Sequence, residues 1–364
     1  MSGELFTSAL DPLGFVVDDL TARGALVERA AAGALALLPP LVARSLDLPD
    51  TVVLADAAGD RAVGCGLGSP LLDRLVADAR ANVPVASIRA LVEPSRTAVA
   101  ERLADRVVVR NGVADVLGTA HTSTTYLAGI FTWTAEADDR YQGMTIIAAN
   151  AATDDEPDPG GMSLIESLIA GTDERVAEER DARGAAGGAA IVARRAALAI
   201  GPRLDEVGAA VGRRRDRERG RIDDYFGSLI AEAKRPRRQV ARGAIEARIA
   251  ALQAEHAAKL RDLTARYTLR VRLDPIALIA VSMRVAEIRL RLRRRKGERE
   301  IALHLPPGAR SPDALACVAC AGTTRAPLLC DDALHVLCEA CAPDPGGRPR
   351  CPTCRPARAS RSSS

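Results

Sequence analysis

Seven of the eight cysteines in this chain fall within its last fifty residues, as Cys317-x2-Cys320-x9-Cys330-x7-Cys338-x2-Cys341-x9-Cys351-x2-Cys354, with His335 inside the x7 gap. A Cys-x2-Cys knuckle is a tight turn that presents two thiolates to one metal ion, at about 2.3 Å for zinc. Three knuckles together with Cys330 and His335 supply eight ligands, the number that two tetrahedral Zn2+ sites require. We therefore expect two Zn2+ per chain, held by Cys317, Cys320, Cys330, His335, Cys338, Cys341, Cys351 and Cys354. A disulfide framework or a set of buried free thiols are the competing readings. The opening Met1-Ser2-Gly3-Glu4 has no basic n-region, so a reducing, cytoplasmic setting is expected, where disulfides are rare. Spacing alone leaves the partition open. The sites are either sequential, with Cys317, Cys320, Cys330 and His335 first, or interleaved.

Positive charge is the second candidate for chemistry. Residues 1–200 carry 17 basic and 28 acidic groups, whereas residues 201–300 carry 26 basic and 14 acidic, so a polyanion would meet the second half. Leu269, Val271 and Leu273 alternate with Arg270 and Arg272, and Ile288, Leu290 and Leu292 alternate with Arg289, Arg291 and Arg293. Period-2 alternation puts the arginines of each strand on one sheet face, and Arg294, Arg295 and Lys296 extend the run into a turn. Such a face is a candidate for nucleic-acid backbone contact. Its alternative is a solvated face neutralised by acidic residues of this chain or of a partner protein. Aromatic residues make up only 2% of the chain, so stacking platforms for bases are nearly absent and any such contact is sequence-independent.

Catalytic raw material is scarce. The chain has four histidines, one of them already assigned to zinc, and Cys65 has no histidine near it in sequence. Gly64-Cys65-Gly66-Leu67-Gly68 lacks the Gly-Lys-Ser/Thr ending of a phosphate loop and reads as a turn before a helix beginning at Ser69-Pro70. The longest apolar stretch, Ala30 to Val42, is interrupted by Pro39-Pro40 and is shorter than the roughly 20 residues a bilayer needs, so no membrane contact is expected.

These features must be carried by an α+β, multi-domain chain. Residues 1–150 read as a mixed α/β domain. A helical period runs through Leu20, Ala25, Leu26 and Leu35, with strands at Thr51–Leu54 and Val107–Val109 and a helix carrying Leu71, Leu72, Leu75 and Val76. A strand pair, Thr124–Trp133 and Met144–Ala149, follows across the acidic turn Glu136–Asp139. Residues 151–200 are a linker and helical segment, in which the proline-punctuated acidic run Thr153–Gly161 reads as a linker or exposed loop. Residues 201–266 form an Arg-rich helical arm broken at Pro236. Its second helix places Ile245, Ile249, Leu252, His256, Leu260 and Leu263 on one stripe, as in a coiled coil, and the arm is a candidate homodimer contact. A small, basic antiparallel β segment (267–310), the two-zinc module (311–358) and a disordered tail (359–364) complete the chain.

The run Cys317-Val318-Ala319-Cys320, Pro327-Leu328-Leu329-Cys330, His335-Val336-Leu337-Cys338-Glu339-Ala340-Cys341 and Cys351-Pro352-Thr353-Cys354-Arg355 resembles a RING finger of the C3HC4 type. The resemblance implies interleaving, with Cys317, Cys320, Cys338 and Cys341 on one zinc and Cys330, His335, Cys351 and Cys354 on the other. It also places Val318 and Arg355 where many RING ligases engage a ubiquitin-conjugating enzyme. The chain departs from the pattern in the four residues between Cys330 and His335, and in Ala342–Arg350, which cannot form the helix or supply the aromatic of the recruiting groove. More loosely, Gly68-Ser69-Pro70-Leu71-Leu72-Asp73-Arg74-Leu75, the strand pair after Tyr126 and the Arg-rich arm resemble the accessory region that follows the motor of bacterial Snf2/RapA-type helicases. That likeness implies a protein partner of this kind, a DNA-dependent ATPase. The expectation is a non-enzymatic zinc-binding adaptor associated with nucleic acid or with such a helicase, and the alternative is a RING-type ubiquitin ligase.

Overall fold

The computed structural model describes residues 11–30, 33–59, 61–104, 107–170, 176–178, 188–235, 242–295, 297–342 and 351–354. Lys296, Arg355, the Pro/Gly-rich run 343–350, the helix break at Pro236 and the tail 359–364 lie outside the described residues.

The first unit is a four-stranded sheet, β1 (Leu26–Ala30), β2 (Gly33–Leu37), β3 (Thr51–Ala55) and β4 (Ala62–Gly64), ordered β1-β2-β3-β4. Helices α1 (Pro12–Ala22), α2 (Pro40–Leu46) and α3 (Pro70–Ala81) accompany it. Its core joins Val16, Val17 and Leu20 of α1 to Leu54 and to Leu71, Leu72 and Leu75 of α3. The sequence signals for β3 and α3 hold, and α3 starts where Ser69 accepts the Leu72 N–H and Pro70 takes the first helical position. The helical period through Ala25, Leu26 and Leu35 does not hold. Gly24, at φ 91°, ends α1, and the following residues form the β1–β2 hairpin, in which Leu26 faces Leu37.

The second unit is a six-stranded sheet. Its central ladder pairs β6 (Val113–Glu136) with β9 (Arg270–Arg294). The strand β7 (Arg140–Asn150) continues from β6 across the acidic turn, as expected. On the other side of β9 lie β5 (Val85–Ala90), beyond it β8 (Val176–Glu178), and the hairpin strand β10 (Gly297–Leu305). The basic hairpin is thus continuous with strands from the first half of the chain. Pro275 is accommodated inside β9 because the ladder shifts register there, opposite Ile130 and Phe131. Val107–Val109, expected as a strand, is not one. Its residues run alongside the sheet, with Val107 and Val109 packed on neighbouring clusters around Ile288 and Leu292.

Helix α4 (Thr97–Ala104) and helix α5 (Pro159–Ile169) cover parts of the sheet. Helix α6 (Ala189–Ala233) and helix α7 (Arg242–Arg266) form a hairpin. Its contacts are Phe226 against His256, His256 bonded to Asp223 at 2.6 Å, and a cluster of Val207, Val211, Leu263 and Tyr267. The stripe from Ile245 to Leu263 is the sheltered face of α7. Among the described residues no helix is long and apolar enough to cross a membrane.

The acidic run Thr153–Gly161, expected as a linker or exposed loop, instead has Asp155, Pro157, Asp158 and Gly161 buried and only Pro159 exposed. Asp155 and Asp158 are each 2% exposed. Asp158 caps α5 through the Gly161 N–H (2.9 Å) and also accepts the N–H groups of Arg310 (2.8 Å) and Ser311 (3.1 Å). Asp155 accepts the Ala316 N–H at 2.9 Å, Glu156 forms a backbone bridge with Ala314, and Asp154 pairs with Arg194 and Arg195 of α6. Burial here is supported by backbone donors far downstream, which satisfy Asp158 and one oxygen of Asp155. The run straps the segment leading into the cysteine-rich module to the body.

Candidate metal centre

Two short hairpins and one helical turn set out six of the eight ligands, and Cys351 and Cys354 lie on a further turn. Strands β11 (Leu315–Ala316) and β12 (Thr323–Thr324) flank the first knuckle, and β13 (Leu328–Leu329) and β14 (Val336–Leu337) flank Cys330 and His335. The second knuckle lies on a 3-10 turn, Glu339–Cys341. Ala321 (φ 59°) and Leu334 (φ 53°) adopt the left-handed conformation beside ligands, a conformation that costs an L-residue roughly 1–2 kcal/mol and that the tight turns impose.

The ligand atoms gather into two groups, each within 4.8 Å: Cys317, Cys320, Cys338 and Cys341, then Cys330, His335, Cys351 and Cys354. The partition is the interleaved one. Tetrahedral zinc with bonds of about 2.3 Å to sulfur sets ligand sulfurs about 3.8 Å apart, with sulfur–nitrogen separations slightly shorter. The structure has Cys320 Sγ to Cys338 Sγ at 3.6 Å and Cys330 Sγ to Cys354 Sγ at 3.9 Å. His335 Nδ1 lies 3.8, 3.3 and 3.2 Å from the sulfurs of Cys330, Cys351 and Cys354. These separations fit a shared ion and are too long for disulfides, whose sulfurs lie about 2.05 Å apart; all eight cysteines are free.

Electrostatics agree with the donor set. Burial opposes the Cys317 thiolate, but backbone N–H groups of Cys338, Cys320 and Ala319 outweigh it and hold the thiol down to about 7. Cys330 is lowered in the same way by the N–H groups of Ala333, His335 and Asp332 acting against burial. Burial, then the neighbouring thiols, raise Cys341, and the same causes raise Cys354 to about 11. Crowding several thiolates is unfavourable without a cation between them, and a divalent metal removes that penalty.

The module is bolted to the sheet. Asn111 pairs twice with Leu329, its Nδ2 donating to the carbonyl (3.0 Å) and its Oδ1 accepting the N–H (2.8 Å). Arg294, at the end of β9, donates to the same carbonyl and pairs with Asp331 at 2.7 Å, with both side chains nearly buried at 11% and 13% exposure. Leu292, Leu329 and Leu334 pack together, as do Ile288, Leu303, Leu315 and Val336. Asn111, Asp155, Asp158 and Asp331 were not singled out in the sequence. Their partners are backbone groups or residues far along the chain, which no local spacing reveals.

The arginines divide. Ile288, Leu290 and Leu292 are fully buried, while Arg289, Arg291 and Arg293 point away from them. The extra residue at Ile276 restores parity, so Arg270 and Arg272 share that face. The face is nonetheless interrupted, because Ile279, Val281, Met283 and Val285 between the two patches are buried with Ile165 and Leu168 of α5. Acidic residues of this chain occupy most of the guanidinium groups: Arg272 pairs with Asp274 (2.7 Å), Arg293 with Asp115 (2.6 Å), Arg291 with Glu300 (3.3 Å), and Arg295 with Asp331 (3.5 Å). Arg270 stands opposite Glu136 in the ladder. Among the described residues Arg289 makes no ion pair.

No family model, no curated protein and no solved structure matches this chain.

Proposed function

We propose that this protein is a non-enzymatic adaptor in which two structural Zn2+ ions hold a C-terminal module in a fixed pose on an α+β body. The observation that supports this most is the completeness of both ligand sets. Each group offers four protein donors, the composition of a closed structural site, whereas catalytic zinc keeps a position for water or substrate. Cys317, Cys320, Cys338 and Cys341 would hold one ion and Cys330, His335, Cys351 and Cys354 the other. Metal analysis of freshly purified, unchelated protein tests the reading: we expect two zincs per chain, and fewer than two, or a fold indifferent to chelation, would count against it.

The partner in this reading is a protein, with a Snf2-type helicase as the first candidate and the cytoplasm as the setting. Contact with a nucleic-acid backbone through the sheet arginines is the weaker branch, because Asp115, Asp274, Glu300 and Asp331 already occupy that charge. The stripe on α7 is used within the chain's own hairpin, so we place the partner contact elsewhere than on a homodimeric arm. Interleaved ligands are the one observation favouring a ubiquitin ligase instead. Zinc-dependent autoubiquitination with a panel of conjugating enzymes would decide for the ligase.

A further inference from the structure

Strand β10 has a free edge: β9 pairs with it along Gly297–Leu305, and no other described strand does. Two observations agree on which of its backbone groups point outward. The β9–β10 hairpin closes on Arg294 opposite Gly297, with Arg295 left-handed at φ 52°. The closing pair of a two-residue hairpin is hydrogen-bonded, so the odd residues of β10 bond to β9 and the even ones face away. At the far end, the His304 carbonyl accepts the Asp313 N–H at 2.9 Å from outside the sheet, which again turns an even residue outward. Glu300 and Ala302 therefore direct N–H and C=O at the free edge, and among the described residues neither backbone has a partner there.

That edge is one wall of a cleft of about 620 Å³, whose lining also includes Val318 and Ala319 of the first knuckle and Arg194 and Asp155 of the body. The segment beginning at Asp313 covers the edge at His304 and then turns off to bridge Glu156 at Ala314; the cleft lies beside the part of the edge left open. Its charges are largely matched. Arg194 pairs with Asp154, and Glu300 with Arg291, while Arg299 is exposed and makes no ion pair among the described residues. Asp155, 2% exposed, keeps Oδ2 without a donor. Open edges are normally blunted by charge or covered. Here Glu298 and Arg299 bring charge to the hairpin end of the strand, and the cleft lies beside Glu300 and Ala302.

We propose that an extended segment of a partner protein enters this cleft and adds to β10 as a further strand, pairing with the backbone of Glu300 and Ala302 and placing a carboxylate against Arg299. Strand addition takes its affinity from main-chain hydrogen bonds and its specificity from side-chain contacts at alternate positions. The stretch Arg299–Ala302 spans about 13 Å at about 3.3 Å per residue, which suits a short linear motif. The inference rests on the adaptor reading, and its zinc-bearing wall makes metal content a separate readout.

The test is selection of short random peptides displayed against the full-length, zinc-loaded protein, followed by fluorescence anisotropy of those recovered. We expect acidic, β-forming peptides. Ala302→Pro removes an outward N–H but no ladder bond to β9, and should weaken binding by about tenfold, the loss of one hydrogen bond. Arg299→Glu should turn the preference to basic peptides. Folded, zinc-loaded Ala302→Pro that binds like the parent would overturn the proposal. So would a selection yielding nothing sensitive to Arg299→Glu, or peptides that bind only after residues 355–364 are removed, which would make the chain's own tail the occupant. Protein with fewer than two zincs fails the zinc reading, whereas two zincs without such peptides fail this inference alone.

Discussion

Replacing Asp158 with alanine should cost about 4 kcal/mol and loosen the start of the cysteine-rich module before anything else. The carboxylate caps α5 through Gly161, and loss of such a cap costs about 1 kcal/mol. It also accepts the N–H groups of Arg310 and Ser311 at 2.8 and 3.1 Å. Bonds to a charged acceptor are worth roughly 1.5–3 kcal/mol each, and these two are part-buried. One cap and two such bonds at the low end give the figure above, a large share of the roughly 5–15 kcal/mol that stabilises a typical domain. Urea unfolding of the zinc-loaded protein measures the loss. Hydrogen exchange resolved by peptide locates it, with faster exchange over Arg310–Ala316 and unchanged exchange in the β1–β4 sheet, whose core is separate. Asp158→Ser restores the cap alone and should recover about 1 kcal/mol. A loss below about 1 kcal/mol for the alanine variant, or uniform exchange changes, would refute the strap.

Arg294→Ala takes from the nearly buried Asp331 its shorter ion pair, leaving Arg295 at 3.5 Å, and from the Leu329 carbonyl one of its two donors, Asn111 remaining. Leaving a buried charge wholly unpaired costs about 3–5 kcal/mol; with Arg295 still beside Asp331 the loss should be smaller than that but above about 1 kcal/mol. Thermal unfolding should show the variant clearly below the parent, whereas Arg293→Ala, whose partner Asp115 is 42% exposed, should fall by less than about 1 kcal/mol. Asp155 supplies a pH dependence of definite sign. Burial, only partly offset by the Ala316 N–H, raises its carboxyl to about 6, so the folded state binds this proton more tightly than the unfolded chain. Stability from this group is lost as pH rises through 6 and regained below it, by about 1 kcal/mol between pH 8 and 5.5. Denaturation of Asp155→Asn over that range should lack this gain, and an identical pH profile would contradict the assignment.

What could be read in the sequence was what local chemistry decides. Zinc knuckles are legible because both thiolates come from one turn, and α3 is legible because Ser69 and Pro70 start it within four residues. The alternation of Ile288, Leu290 and Leu292 with arginines identified the buried and exposed sides of β9. The same alternation said nothing of the acids across the ladder, so a face that looked available to phosphate is largely neutralised. The acidic run 153–161 misled for a related reason. Aspartates and prolines without apolar residues imply solvent, unless distant backbone donors reach them, and only the fold brings Arg310, Ser311 and Ala316 there. In the first unit, Leu26 and Leu35 are both substantially exposed. Their apolar character suggested a buried helical stripe where a hairpin forms.

How the module is fastened determines what bound zinc would do. The segment before the first knuckle is held by Asp155, Asp158 and the Glu156 bridge, and the segment ending in Cys330 by Asn111 and Arg294. Val336, just before the second knuckle, packs with Ile288 and Leu303, but beyond it the knuckle itself has a weaker tie to the body, an ion pair between Arg110 and Glu339 whose side chains are 43% and 81% exposed. An exposed pair of that kind contributes about 0–1 kcal/mol, whereas zinc in a small module binds with about 10–16 kcal/mol. On the proposed reading metal would do most to set the position of Cys341, while the body sets that of Cys317 and Cys330 and, through Val336, constrains Cys338. Interleaving would then join, at each site, a segment the body holds directly to a knuckle that it holds less firmly. A sequential partition would leave Cys338, Cys341, Cys351 and Cys354 as a unit tied to the body by the exposed Arg110–Glu339 pair and by the chain leading from Val336. The knuckle wall of the β10 cleft belongs to the body-held half, so its width follows from the strap as well as from the metal.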